Sequence, residues 1–290
     1  MWTFDPFVDD FTKLEERISN YLSNTKIEFC PLKTPQIDFD FQLSLNRLIK
    51  SYKSGHFKSS YELGLILRTV AWEKLNSWHW ADVPSVWRQA YYFVSLILVI
   101  SRLLLGHDCL SVLVDCDHAL LMGCSFGDDV ISGIALILHD MVGGGNEVCL
   151  PPAGEEGSLL RFEYLTELPR VENIGVEDFI YYFNNQLPCV ITGSCGHWPA
   201  FSDRRWNVQY FMSLAQHRTV PVEIGKNYMT DHNWHQKLMF FKDFVNDYII
   251  NQSPVVGYLA QHNLLGQIPV LNEDVITPEY CYVSDCDDRK

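Results

Sequence analysis

Apolar side chains recur at helical spacing through most of the first half of the chain. Between 58 and 78 (KSSYELGLILRTVAWEKLNSW), Tyr61, Leu65, Thr69 and Trp72 fall on one stripe, and Gly55 suits the stop of an earlier helix from about Phe41 to Ser54. The two segments predict an antiparallel helix pair. Asp82, followed by Val83 and Pro84, reads as a cap with proline in the first turn, after which Trp87, Tyr91, Val94 and Leu98 align on one face. Two further segments, Cys109 to Met122 and Asp128 to His139, are apolar at the same spacing, with Gly123 and Gly127 marking the joint between them. Residues 36–140 therefore predict stacked helical hairpins, and no fixed period or recurring signature marks them as a solenoid.

The most apolar stretch, Ala90 to Leu105, is about 16 residues and is interrupted by Arg102, whereas a membrane-spanning helix needs roughly 20 apolar residues. It predicts a buried core helix. Val142 to Ser158 (VGGGNEVCLPPAGEEGS) then places glycine and proline too densely for either regular element. This predicts a helical domain at 1–141, a linker at 142–158 and a second domain at 159–290. Beyond the linker, Arg161 to Leu165, Pro188 to Thr192, Thr219 to Ile224 and Val255 to Leu259 are short runs of β-formers, separated by helical pieces at 176–184, 206–215 and 241–250. The expected fold class is α+β, an all-helical N-terminal domain followed by the opening portion of a β-barrel or jelly roll.

Composition narrows the function. The 290 residues are 47% hydrophobic and 13% aromatic, enough for a sizeable core. Lys and Arg number 22 against 36 Asp and Glu, a net charge of −14, which argues against gripping a phosphate backbone. No nucleic-acid or membrane partner is expected. Nine cysteines lack the short, regular spacings of a disulfide framework, and the acidic N-terminus does not read as a secretory signal. A nuclear or cytoplasmic, non-secreted protein with reduced thiols is the expectation.

Several strings could carry chemistry, and most have a plainer reading. Gly143-Gly-Gly145 lacks the Lys-Ser/Thr of a phosphate loop, and Gly193-Ser-Cys-Gly196 lacks the spacing of a nucleophile elbow. His232 and His235, in a predicted helical start, have no indicated third ligand. Trp72, Trp78, Trp80 and Trp87 are expected mainly in the core of the helical half, which could also hold a protein partner. Glu223 stands apart because it sits in an otherwise apolar strand, TVPVEIG; it either faces solvent or needs a cation. Tyr258, in GYLAQH, is either core packing with a hydrogen-bonded tip or a ligand-holding hydroxyl.

Three strings converge on one family. LPCVITGSCGHWPAF (187–201), QYFMSLAQHRTVPVEIGKNY (209–228) and VGYLAQHNLLGQIPVLNEDVITPEYC (256–281) resemble the opening of a JmjC, or cupin-like, oxygenase domain. WADVPSVWRQAYYF (80–93) and the ALLMG string (119–123) resemble the helical domain that precedes it in some members. The resemblance implies a jelly-roll core holding Fe(II) through two histidines and one acidic residue, with 2-oxoglutarate as cosubstrate. It also implies a protein or peptide substrate, with arginyl hydroxylation or histone demethylation as the activity. Carried over residue by residue, Glu223 matches the acidic residue that meets a substrate guanidinium, and Tyr258 matches the tyrosine that helps hold 2-oxoglutarate.

One departure bears on activity. The family's first two metal ligands form an H-x-D string beyond the segment matching PEYC, and none of the 10 histidines here is followed two positions later by Asp or Glu. The sequence therefore predicts no catalytic or metal-ligating residue in this chain. Neither Fe(II) nor 2-oxoglutarate is expected to be bound by it alone, as for a truncated and inactive family member. A non-catalytic interaction module built on the helical half is the competing expectation.

Overall fold

The computed structural model describes residues 16–18, 20–22, 37–79, 82–124, 129–143, 167–226 and 229–283. The predicted strand at 161–165, nearly all of the predicted linker, and Trp80 lie outside them. The chain divides into two compact units, Met1–Glu147 with Met212–Ile268, and Val148–Phe211 with Pro269–Lys290. Both mix helix with little strand, and no barrel is formed by the described residues.

The first unit opens with helix α1 (Phe39–Lys53), which buries Phe41, Leu45 and Leu48. It ends where expected. Gly55 takes a left-handed φ of 74°, and the amide of His56 returns to the carbonyl of Ser51. Helix α2 (Phe57–Asn76) forms over the predicted range but presents a different face. Ser60, Gly64, Leu67, Ala71 and Leu75 are buried, whereas Thr69 and Trp72 on the predicted stripe are exposed. The cause is close approach: a Cβ on Gly64 would lie 3.0 Å from Leu98 Cδ1, so the small residues face the next helix. Of the tryptophans expected inside, Trp87 is buried, but Trp72 and Trp78 are 42% and 52% exposed.

Helix α3 (Ser85–Leu104) begins after Pro84, which occupies the capping position without a side-chain bond, so Asp82 is not the cap. From Ala90 to Ser101 every residue is buried. Such two-sided burial, at about 1.5–3 kcal/mol for each large apolar side chain, identifies α3 as the central element of the unit. No helix among the described residues is long and apolar enough to cross a membrane. One apolar cluster joins α3 to α1 and α2 through Phe41, Leu48, Leu67 and Trp87. Another joins α3 to helices α4 (Cys109–Met122) and α5 (Val130–Val142) through Val99, Leu113, Ile131 and Leu138. Asp108 and Asp129 cap the last two helices, accepting from the amides of Ser111 at 2.8 Å and Ser132 at 3.2 Å.

In the second unit, β1 (Arg170–Glu172) and β2 (Val190–Thr192) pair in parallel, with Arg170 opposite Val190 and Glu172 opposite Thr192. Helix α6 (Val176–Asn184) lies between them in sequence, as a parallel connection requires. Asp274, fully buried, accepts hydrogen bonds from Trp206 Nε1 at 2.9 Å and from the Tyr210 hydroxyl at 2.8 Å. Tyr210 belongs to helix α7 (Val208–Ala215).

The remaining sheet belongs to the first unit. Strand β3 (Thr219–Ile224) lies between β4 (His235–Phe240) and β5 (Gly257–Tyr258), antiparallel to both. β3 and β5 answer to predicted strands. β4 does not: the stretch read as a helical start at 232–235 is a turn, and His235 opens a strand whose first four residues are exposed. Short helix α8 (Phe241–Phe244) runs into a π-helical turn at Val245–Ile250, within the helix predicted at 241–250, and α9 (Leu264–Gln267) follows β5.

Candidate functional site

The start of β3 is fixed by a buried polar cluster. Asp117 on α4 and Arg218, just before β3, are 0% and 1% exposed. The Asp117 carboxylate accepts from Arg218 Nε at 2.9 Å, from the Thr219 amide at 2.7 Å and from Gln267 Nε2 at 2.8 Å. Arg218 Nη2 also donates to the Gln267 carbonyl at 3.0 Å. Breaking a buried ion pair by removing one partner costs about 3–5 kcal/mol, so this cluster holds α4, β3 and α9 in register far more firmly than surface pairs could. A second node supports it: Asp115, two residues earlier on the same helix, takes Arg68 at 2.6 Å and also Arg102. Apart from Arg102, noted only as a break in an apolar run, none of these residues was singled out from sequence. The available signal is two aspartates within an otherwise apolar helix, where an unpartnered charge is too costly.

With β3 held there, the two nominated residues face each other. Glu223 and Tyr258 are opposite partners across the β3–β5 pairing, and opposite residues share a face of the sheet. Gln236 is the partner of Glu223 on the β4 side. Glu223 is 7% exposed as a residue, and its carboxylate oxygens are not among the fully buried polar atoms left without a partner. Among the described residues, no cation pairs with its carboxylate and no donor bonds to it. Tyr258 is half-buried beside it.

The other candidates are placed differently. His232 and His235 are both exposed, and His235 Nδ1 lies 2.8 Å from the Asn233 carbonyl. Among the described residues, no three His, Cys, Asp or Glu side chains converge as metal ligands. The described residues thus do not fit a facial triad. Gly193 takes a φ of 81° in a turn after β2, as a turn glycine would. Along β4 runs a cleft of about 510 Å³ lined by His118, Thr219, Lys237, Asp243 and Asp247, among others. Burial holds the His118 imidazole below its ordinary value.

No family model matches the chain. Individual proteins do. It is 32% identical over 255 residues to lysine-specific demethylase 8 of Danio rerio, an alignment covering 82% of this chain and 62% of that protein. It is 29% identical over 255 residues to Jumonji C domain-containing protein 5 of Drosophila melanogaster, with the same 82% and 62% coverage. Lysine-specific demethylase JMJ30 of Arabidopsis thaliana is 32% identical over 251 residues, covering 74% of this chain and 57% of that protein. The chain thus spans about three fifths of the length of these relatives. Likeness at this level to demethylase and Jumonji C proteins from a fish, an insect and a plant runs through both the helical half and the sheet segment, and by it this chain belongs to the JmjC-domain oxygenase family.

Proposed function

We propose that this chain carries the substrate-side and cosubstrate-side part of a JmjC-type protein hydroxylase acting on an arginine-bearing protein or peptide. The observation that carries the reading is Glu223, 7% exposed as a residue, directly opposite Tyr258 and without an ion-pair or hydrogen-bond partner among the described residues. A carboxylate so placed is costly unless a ligand brings a cation, and a guanidinium offers a planar fork of donors matched to it. Across the sheet, the Tyr258 hydroxyl serves as donor to a carboxylate of 2-oxoglutarate. When bound, Fe(II) and 2-oxoglutarate supply the oxidising chemistry of the family. In this reading the chain positions substrate and cosubstrate but does not turn over by itself, since its sequence contains no H-x-D string.

Binding of an arginine peptide to the 290-residue chain, followed by calorimetry against the citrulline analogue, tests the central contact. Arginine should bind at least tenfold more tightly, a difference of about 1.4 kcal/mol, and Glu223→Gln should erase the preference. Equal affinity for both peptides would sink the assignment of Glu223. Succinate production with stoichiometric iron would sink the inactivity.

A second reading has one observation behind it. Trp72 and Trp78 stand on the surface of the helical half at 42% and 52% exposure, available to a protein partner. A partner retained by the whole chain and released by the Trp72→Ala, Trp78→Ala double variant would favour it.

A further inference from the structure

A buried and a half-buried histidine meet where α5 packs on the end of α7 and the turn leading into β3. His139 on α5 is 5% exposed, and its Nε2 lies 3.2 Å from the Ser213 carbonyl. His217, in that turn, lies near the backbone of Gly143, whose carbonyl accepts from Gln216 Nε2 at 2.9 Å. The two rings lie 6.0 Å apart, and the Nδ1 atom of each is buried without a partner. With its Nε2 against the Ser213 carbonyl, His139 is assigned its proton there and keeps a bare lone pair on Nδ1. No third metal-binding side chain joins them among the described residues. What this pair can do is take up protons, and it has no acceptor for them.

We propose that His139 and His217 form an acid-sensitive latch: their protonation opens the packing of α5 on the end of α7 and the 216–217 turn and loosens the start of β3.

The charges around the pair are mixed. Asp117 on α4 faces it, but that carboxylate is already occupied by Arg218, the Thr219 amide and Gln267. Asp140 on α5 is exposed and pairs with Arg17 at 3.0 Å. Arg218, from the chain just before β3, and Lys242, from α8, add cations, and Asp243 on α8 adds one more carboxylate. Each imidazolium would also face the other. Burial decides the balance, holding both imidazoles below their ordinary value, with Arg218 acting further on His139 and with Lys242 and His139 acting further on His217.

The direction with pH follows. A histidine whose folded pKa is depressed contributes stability that is fully present above its ordinary pKa, about 6.5, and is lost as pH falls toward the folded value. Two backbone bonds report the opening, because the amides of Phe241 and Lys242 donate to the carbonyls of Arg218 at 2.9 Å and Gln216 at 3.1 Å. This latch is a property of the fold and does not depend on the reading of Glu223 as a substrate contact.

Hydrogen exchange by NMR on the 290-residue chain, from about pH 7.5 to about pH 5.5, tests the latch in the range where histidine titrates. After correction for intrinsic exchange, protection at Phe241 and Lys242 should fall by up to about tenfold per pH unit for each histidine, while Ile97 and Leu98 in α3 hold theirs. His139→Gln and His217→Gln should each flatten the response, and parallel loss in α3, or an unchanged response in both variants, would overturn the proposal. Should the variants fail to fold, the ring protons of the unmodified chain decide. Both histidines must titrate below the ordinary value, and either one titrating at or above it refutes the latch.

Discussion

Arg218 directs its Nε at the carboxylate of Asp117 across 2.9 Å, and neither side chain reaches solvent, at 1% and 0% exposure. The two residues are separated by a hundred positions of sequence, one in a helical hairpin and one at the mouth of the first long strand. Their pairing explains how a helical segment and a sheet segment become one compact unit. The Thr219 amide also donates to Asp117 at 2.7 Å, so the register of β3, and with it the position of Glu223, is set from the helical side.

Removing one partner should therefore cost more than removing both. Asp117→Ala leaves Arg218 buried and unpaired and should destabilise the chain by about 3–5 kcal/mol. Combining it with Arg218→Met should recover part of that loss. Urea unfolding of the two single variants and the double variant gives the coupling, and additive losses would mean that the pair does not act as one unit.

Glycines at two helix ends should respond to alanine to different degrees. A Cβ on Gly123 would meet the Ala119 carbonyl oxygen at 2.5 Å and Tyr92 Cβ at 2.7 Å, and backbone cannot yield as a side-chain tip can. Gly55, at φ 74°, has nothing within 4 Å of the same position. Gly55→Ala should cost about 1–2 kcal/mol, the ordinary left-handed penalty, and Gly123→Ala clearly more, through displacement of α3 against α4. Thermal melts of the two variants compare them directly, and equal losses would contradict the packing at Gly123.

The helical hairpins were legible because their apolar repeats are long and their stops are local. Gly55 acts within a few residues of itself, whereas Asp82, the one cap expected, does not cap α3. The buried face of α2 was not legible, because Gly64 and Ala71 carry little hydrophobic signal and matter through what they let approach. β4 was missed for a related reason: His235, Gln236, Lys237 and Leu238 are exposed, and only pairing with β3 makes them a strand. Glu223 and Tyr258 stood out singly as a carboxylate and a phenol among apolar neighbours. Their position opposite each other depends on strand register, which neither string contains.

Tyr210 in the second unit should ionise late. Burial, then the hydrogen bond to Asp274 and the charge of that carboxylate, push its phenol up to about 12. A group with a raised folded pKa contributes stability that is fully present below its ordinary value, near 10, and lost as pH rises through the folded value. Phenolate absorbance followed during alkaline titration should contain a step near 12 that Tyr210→Phe removes and Asp274→Asn moves downward. A step unaffected by either substitution would refute the assignment.

Glu223 should be a residue whose removal strengthens the fold. It is 7% exposed in a strand where Val220 and Val222 are fully buried, and among the described residues no cation or donor bonds to its carboxylate. Valine suits the pleated, half-buried position better, so Glu223→Val should raise unfolding stability by about 1 kcal/mol. A polar group kept at a stability cost is the usual mark of a binding site, whereas a structural carboxylate behaves in the opposite way. The same variant should lose its preference for an arginine peptide over the citrulline analogue. Denaturation and peptide binding measured on one preparation separate the two roles: destabilisation with binding retained would make Glu223 part of the scaffold, and stabilisation with the preference lost would mark it as a ligand contact.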